Sequence, residues 1–244
     1  MARAKYWRRR RPEVELRSPC AKLSALFAAV VLSVAFTCSA QDSHTALDTW
    51  LEGLKSLRTQ FTQTTKDSQG HQSDQASGEL LVLRPGRFRW ESHDDAGAAT
   101  GSAPASGASA ASGQVLIADG RNVWFYDRDL QQVTVKPVDA ALSATPIMLL
   151  SGGADVRKAF EISDAGAKDG LAWLRIKPRG ADADFRQALL GFAGGELRQM
   201  ILEDKLGQVS TLTFSRSQRN APVTNAEVSF TPPKGVDVIG TAGK

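Results

Sequence analysis

The residues that could carry out acid–base or metal chemistry are scattered along this chain rather than grouped. The three histidines, His44, His71 and His93, share no spacing typical of metal ligands. The acidic pair Glu203-Asp204 falls at a predicted turn, where a solvated charge is the ordinary state. No Gly-x-Ser-x-Gly turn and no glycine-rich phosphate-binding loop occurs. We therefore expect no catalytic residues, no metal site, no cofactor and no enzymatic activity.

The chemistry that the sequence does offer is apolar. Phe88 and Trp90 alternate with Arg87 and Arg89, which places both aromatic side chains on one face of a strand. Apolar side chains from helices are expected to cover that face. An ordinary helix-covered core would explain them, but helices that do not fill the space would enclose an apolar cavity. The residues assigned to this cavity are Trp50, Leu51, Leu54, Leu57, Phe88, Trp90, Ile147, Met148 and Leu150.

The first 40 residues differ from the rest of the chain. Residues 1–22 contain eight basic and two acidic side chains, and an apolar run follows from Leu23 to Phe36. This run is about 14 residues long, whereas a membrane-spanning helix needs roughly 20. Cys38-Ser39-Ala40 supplies small residues before Gln41. The pattern predicts a cleavable signal peptide at residues 1–40, a single domain at residues 41–244, and a product exported to the periplasm.

The basic pI of the whole chain comes mostly from this leader. The chain has 30 basic and 26 acidic residues. Without residues 1–40 it has 22 basic and 24 acidic residues, a net charge of −2. A basic surface for nucleic acid is therefore not predicted.

Both cysteines, Cys20 and Cys38, lie in the leader. The domain after it must therefore be stabilised by its apolar core, without disulfides or thiolate metal sites. Lipidation of Cys38 would need a different preceding sequence from Ala35-Phe36-Thr37. We expect cleavage after Ala40 and a soluble product.

Helical periodicity occurs at two places. Near the start of the domain, apolar residues recur at spacings of three and four and predict one amphipathic helix: Leu47, Trp50, Leu51, Leu54, Leu57 and Phe61. Residues 138–150 predict one or two short helices, with Pro146 in a first turn and Gly152-Gly153 as the stop.

The remainder of the domain has the period of two that is typical of strands. The predicted strands are residues 61–66, 78–83, 87–91, 115–118, 123–126, 132–135, 159–162, 171–177, 185–192, 197–203, 209–214 and 226–230. Turn residues such as Pro85-Gly86 separate them. We therefore predict a mainly β fold with an antiparallel sheet, open or curled into a barrel. Residues 94–113, mostly Ala, Gly and Ser, predict a flexible loop inserted in a hairpin.

Four stretches in order resemble the LolA family of periplasmic carriers of outer-membrane lipoproteins. They are Phe61-Thr62-Gln63, residues 81–90 with the pattern Arg-Pro-x-x-Phe-x-Trp, residues 119–126 with 145–150 after them, and residues 230–236. The chain departs from the family pattern at the 94–113 insertion. Little sequence follows Val238-Ile239, so we also expect a C-terminal extension found in some members to be short or missing.

The resemblance implies an unclosed antiparallel β half-barrel with an α-helical lid over an apolar cavity. It implies that Arg84 is a latch between a strand and backbone groups of the lid, and that Phe88 and Trp90 face the cavity. The implied cargo is the acyl chains of lipoproteins. The implied partners are an inner-membrane lipoprotein-releasing ABC transporter and an outer-membrane lipoprotein receptor, and the carrier is expected to be a monomer.

Two other functions fit the same pattern. One is the outer-membrane receptor of the same fold, which needs a lipidated N-terminal cysteine. The other is a periplasmic regulatory module that binds lipid or a protein partner without transporting it.

Overall fold

A computed structural model describes residues 43–94, 113–141, 145–152, 156–181 and 183–243. The leader, residues 1–40, and residues 95–112 of the predicted loop lie outside the described residues. Asp94 and Gly113, which bound that loop, end β3 and precede β4. No helix among the described residues is long and apolar enough to span a membrane.

The described residues form twelve strands and four short helical segments. The strands are β1 (Ser56–Lys66), β2 (Gln72–Leu83), β3 (Arg87–Asp94), β4 (Gln114–Asp119), β5 (Asn122–Asp127), β6 (Gln132–Pro137), β7 (Phe160–Lys168), β8 (Leu171–Pro178), β9 (Phe185–Ala193), β10 (Glu196–Asp204), β11 (Val209–Arg219) and β12 (Asp237–Gly240). The helices are α1 (Ser43–Leu51), α2 (Val138–Ala141), α3 (Ile147–Ser151) and a 3-10 turn at Val156–Ala159.

All twelve strands belong to one sheet that does not close on itself. Its strand order is β12-β6-β5-β4-β3-β2-β1-β11-β10-β9-β8-β7. Neighbouring strands are antiparallel except for β12, which runs parallel to β6. The prediction of a mainly β, unclosed antiparallel sheet is confirmed, with one short parallel edge strand in addition.

The first helix is shorter than the sequence predicts. It ends at Leu51, and Leu57 and Phe61 lie on β1, where they face Val82 and Gly78 of β2. A spacing of four residues fits both a helix and the alternating face of a strand, so the pattern could not locate the change. Gly53, at φ +66°, follows the helix with a backbone conformation that only glycine adopts easily.

The prediction of a strand at residues 226–230 is wrong. This segment forms turns and lies across the outer face of the sheet. The Phe230 ring packs 5.7 Å from Trp124 and 5.9 Å from Tyr126, measured between ring centroids. The Phe230 side chain is partly buried by contact with a sheet face rather than by pairing in the sheet, and the two cases have the same sequence pattern.

Apolar side chains cover one face of the sheet and part of the other. The larger cluster fills the concave face and includes residues of α1, α2 and α3 together with β1–β5 and β7–β11. A smaller cluster on the outer face contains Val115, Ile117, Tyr126 and Val133, with Phe230 packed against it. The short helices therefore lie on the concave side.

Gly78 lies on β2 at a point where there is no room for a side chain. A Cβ atom at this residue would lie 1.9 Å from the Glu91 carbonyl oxygen and 2.6 Å from the Phe61 ring. The missing side chain lets β2 approach β3 and lets Phe61 lie against Trp90, with ring centroids 4.5 Å apart. A glycine within a strand often marks such a close approach.

Candidate functional site

The C-terminal end of α1 is hydrogen-bonded by the hairpin that joins β2 and β3. Arg84 Nη1 donates to the carbonyl oxygen of Leu51 at 2.8 Å and, more weakly, to that of Leu54 at 3.5 Å. The Arg84 backbone N–H donates to the Lys55 carbonyl at 2.9 Å. A cation at the C-terminus of a helix satisfies carbonyls that lack partners within the helix and complements its dipole.

Arg84 also reaches the end of α3. A Cβ atom on Gly152, the residue after α3, would lie 2.5 Å from both Nε and Nη2 of Arg84. The Gly86 N–H donates to the Ser151 carbonyl at 3.0 Å. One hairpin therefore contacts the ends of two helices that are about 100 residues apart in the sequence.

Burial lowers the pKa of Arg84 from its ordinary value. The guanidinium remains charged at any physiological pH, because the ordinary value is so high. A partly buried cation costs free energy unless hydrogen-bond acceptors replace the water that it has lost. The carbonyls of Leu51, in α1, and Leu54, after it, are these acceptors.

A second set of bonds reaches the same region from β11. Arg219 Nη1 donates to the Trp50 carbonyl at 2.5 Å, and Nη2 donates to the Glu52 carbonyl at 3.1 Å. Asn220 Nδ2 donates to the Gly53 carbonyl at 3.1 Å, and its Oδ1 accepts from the Lys55 N–H at 2.7 Å. The backbone at residues 50–55 is thus held from both neighbours of β1.

Most of the residues assigned to the cavity lie in the closed concave core. Of the nine, Trp50, Leu54, Leu57, Phe88, Met148 and Leu150 are each no more than 5% exposed, and Leu51 packs against them. The Trp50 ring makes an edge contact with Phe192, with centroids 6.2 Å apart. In this structure the space beneath α1 is filled by side chains.

The open space lies further along the concave face. Trp90 and Ile147, the other two assigned residues, line a cavity of about 240 Å³ beside the start of α3. A second cavity of about 350 Å³ adjoins it and shares Leu116, Phe125 and Thr145. Its lining also includes the charged side chains of Lys136 and Asp184. The apolar floor of these cavities is continuous with the core, and their rim is polar.

Sequence patterns missed several residues of this site. Arg219 and Asn220 lie at the end of β11. This end is brought beside α1 by the pairing of Leu57 with Arg219, which no local sequence pattern predicts. Leu116 and Phe125 alternate correctly for a concave face, and that signal could have identified them. Gly152 was predicted only as a helix stop.

No group of three or more His, Cys, Asp or Glu side chains among the described residues could hold a metal ion. What the site contains is an apolar concavity, short helices over it and cations that hold the helix ends by their backbone carbonyls. Such an arrangement defines a half-barrel protein with an apolar interior.

The chain belongs to the family described as "Outer membrane lipoprotein carrier protein LolA", whose sequence profile matches residues 52–96 and 108–231. It is 36% identical over 194 residues to an outer-membrane lipoprotein carrier protein of Dechloromonas aromatica, a match that covers 80% of this chain and 86% of that protein. A protein of the same description from Methylobacillus flagellatus is 34% identical over 199 residues, covering 82% and 89%.

Among solved structures, a LolA superfamily protein from Nitrosomonas europaea is similar with a TM-score of 0.41 and 14% sequence identity. That match covers 78% of this chain and 98% of the other.

Proposed function

We propose that this protein is a monomeric periplasmic carrier that shields the acyl chains of lipoproteins between the inner and outer membranes. The observation that carries the proposal is the concave apolar face, closed by short helices whose ends are held by hydrogen bonds to backbone carbonyls. A closure of this kind can open without unfolding the sheet.

The cargo sets the energy scale. A triacylated lipoprotein has roughly 45 methylene groups, and each costs on the order of 0.8 kcal/mol to expose to water. Free diffusion between membranes is therefore opposed by tens of kcal/mol. A carrier lowers this barrier by providing apolar surface in place of water.

The two cavities are too small for such a cargo as they stand. Their volumes of about 240 and 350 Å³ are near the low end of the range of about 300–1,000 Å³ for small-molecule pockets. Loading therefore requires α1 and α3, here called the lid, to move off the concave face. The nine residues assigned above, from Trp50 to Leu150, would then line the acyl-chain site.

Arg84 acts as the latch of this lid in the proposal. Its bond to the Leu51 carbonyl and its contact with Gly152 join both helices to the β2–β3 hairpin. A charge-assisted bond of this kind contributes about 1.5–3 kcal/mol, which is small enough to be broken by a binding partner. The inner-membrane ABC transporter would supply the energy for loading, and an outer-membrane receptor would take the cargo.

The test is transfer of a lipoprotein. Vesicles that contain the lipoprotein-releasing transporter and a triacylated lipoprotein are incubated with ATP and the protein starting at Gln41. We expect a soluble complex of carrier and lipoprotein on gel filtration, and none without ATP. Lipoprotein that stays with the vesicles in both cases would contradict the proposal.

The maturation of the chain has a separate test. Mass spectrometry of the protein isolated from cells should give an N-terminus at Gln41 and no lipid. An acylated Cys38 would instead identify the outer-membrane receptor of this fold.

A further inference from the structure

The α1–β1 connection, residues 52–55, is held on two sides by different strands. The hairpin that carries Arg84 follows β2, and Arg219 ends β11; β2 and β11 are the two neighbours of β1. Ser56 pairs with Leu83 on one side, and Leu57 pairs with Arg219 on the other. The register of β1 therefore fixes both arginines beside the end of α1.

Arg219 makes more contacts with α1 than its two hydrogen bonds. Its guanidinium carbon lies 5.6 Å from the centroid of the Trp50 ring, within the range of a cation–π contact. The same group bonds the carbonyl of Trp50. Backbone and side chain of a single helical residue are thus held by one arginine.

Asn220 fixes the connection itself rather than the helix. Besides its bonds to Gly53 and Lys55, its own N–H donates to the Ser56 carbonyl at 2.7 Å. Gly53 has a positive φ, and no atom lies within 4 Å of the place a Cβ would occupy. The connection is therefore anchored at its β1 end. At its helix end it has a glycine with no neighbouring atom to restrict it.

When α1 is closed, one buried hydrogen-bond donor of the helix has no acceptor. The Trp50 residue is 2% exposed, and its indole N–H finds no acceptor among the residues that the structure describes. A buried donor without an acceptor favours conformations in which it reaches one. Other contacts of α1 have to outweigh the free-energy cost of this unpaired donor. Arg219 supplies two of them at Trp50 itself, the hydrogen bond to its carbonyl and the cation–π contact with its ring.

We propose that Arg219 is a second positioning residue of the lid, which holds α1 closed independently of Arg84 while Asn220 anchors the connection about which α1 moves. The two arginines then control different movements. Arg84 contacts both α1 and the end of α3, whereas the bonds of Arg219 described above go to α1 and residue 52. Loss of Arg219 loosens α1 alone, and loss of Arg84 loosens both helices. This proposal rests on the proposed carrier function in one respect only, namely that the movement of α1 serves to admit acyl chains.

Hydrogen–deuterium exchange in the chain starting at Gln41 tests the proposal without any cargo. In Arg219→Leu we expect amides of residues 50–54 to exchange about tenfold faster, equivalent to about 1.4 kcal/mol. The amides of α3 and of Gly86, which bonds Ser151, should keep the wild-type rate. In Arg84→Leu both regions should exchange faster.

Matched controls separate positioning from general stability. Arg198 is an exposed arginine on β10, so Arg198→Leu makes the same chemical change away from the lid and should leave exchange unchanged. Arg219→Lys keeps a cation beside Trp50 but cannot donate to two carbonyls in the same fork, and should give an intermediate rate. If Arg219→Leu does not fold, Arg219→Lys and Asn220→Ala carry the test.

Two outcomes would overturn the inference. One is a wild-type exchange rate at residues 50–54 in Arg219→Leu, and the other is the same acceleration throughout the sheet, which would indicate general destabilisation. A synthetic triacylated lipopeptide should also associate several-fold faster with Arg219→Leu. If wild type does not bind the lipopeptide, the carrier function fails, while the exchange result still decides the role of Arg219.

Discussion

Arg84 and Gly152 are in direct contact, and the contact requires that residue 152 have no side chain. A Cβ atom there would lie 2.5 Å from Nε and 2.8 Å from Cζ of the guanidinium. Gly152 also has a φ of +68°. The end of α3 and the β2–β3 hairpin therefore fit together through a single glycine.

Gly152→Ala should displace the Arg84 side chain from α3 and weaken its bond to the Leu51 carbonyl. The positive φ adds a strain of about 1–2 kcal/mol, because an L-residue disfavours that region. Gly194→Ala is the matched control, since Gly194 has a φ of +60° and nothing within 4 Å. We expect both variants to lose stability in urea, but only Gly152→Ala to speed amide exchange in α1. Equal exchange in the two variants would contradict this account.

Arg84→Leu should shift the lid toward open conformations. The closed state loses the charge-assisted bond to Leu51, about 1.5–3 kcal/mol, whereas the loaded state loses little. Loading from vesicles should therefore be retained, and release to the receptor should slow by about tenfold or more. Loading and release are measured separately by gel filtration and by transfer to receptor-containing liposomes. If neither changes, Arg84 is not a latch.

Leu116→Trp should block the concave face without opening the lid. Leu116 lines both cavities, so a larger side chain reduces the space in each. We expect stability within about 1–3 kcal/mol of wild type, the usual cost of overpacking, and weaker binding of a triacylated lipopeptide. The measurement is isothermal titration with the lipopeptide. Unchanged affinity would place the acyl-chain site elsewhere.

Gly78→Ala should destabilise the sheet where β2 lies closely against β3 and Phe61. The added methyl group meets the Glu91 carbonyl oxygen and the Phe61 ring, and neither backbone nor a packed ring moves freely. We expect a loss on the order of 1–3 kcal/mol in the free energy of unfolding, measured by urea. Gln75→Ala, at an exposed position of the same strand, should cost far less. Similar losses in the two variants would show that the packing of the sheet does not depend on the missing side chain of Gly78.

The outer face contains an acid-sensitive tether. Glu227 accepts from the backbone N–H of Thr224 at 2.7 Å, from Arg58 at 2.5 Å and from the Thr224 hydroxyl at 2.8 Å, and these bonds lower its pKa to about 2. Because the pKa is lower in the folded than in the unfolded protein, the stabilisation is complete above about pH 4.5 and is lost as the pH falls toward 2.

The urea midpoint of Glu227→Gln should therefore be below that of wild type at pH 7. The difference should shrink as the pH is lowered from about 4.5 to about 2. Unfolding is measured at several pH values in both proteins. A difference that stays constant over this range would assign the effect to packing rather than to the carboxylate.

The strands were predictable because each alternates over a buried face. Leu174 and Ile176 on β8, for example, are both fully buried, with Arg175 between them only half-buried. The end of α1 was not predictable, because Leu57 and Phe61 keep the helical spacing after the helix has stopped. The latch role proposed for Arg84 came from the resemblance to a family motif and not from any local pattern. The contacts of Arg219 with the end of α1 depend on the register between β1 and β11, and no local sequence pattern predicts that register.

The pairing of β1 with β11 also determines when the protein can fold. Ser56 donates its hydroxyl hydrogen to the Ala221 carbonyl across a separation of 165 residues, and both β11 and the segment over the outer face come late in the chain. As the polypeptide emerges, β1 has β2 as a partner but keeps one edge unpaired until nearly all of the domain has been made. Sheets built from such distant pairings form slowly and are prone to aggregate beforehand. We expect assembly to be a single late event, with the nascent chain shielded by a chaperone until its last strands are available.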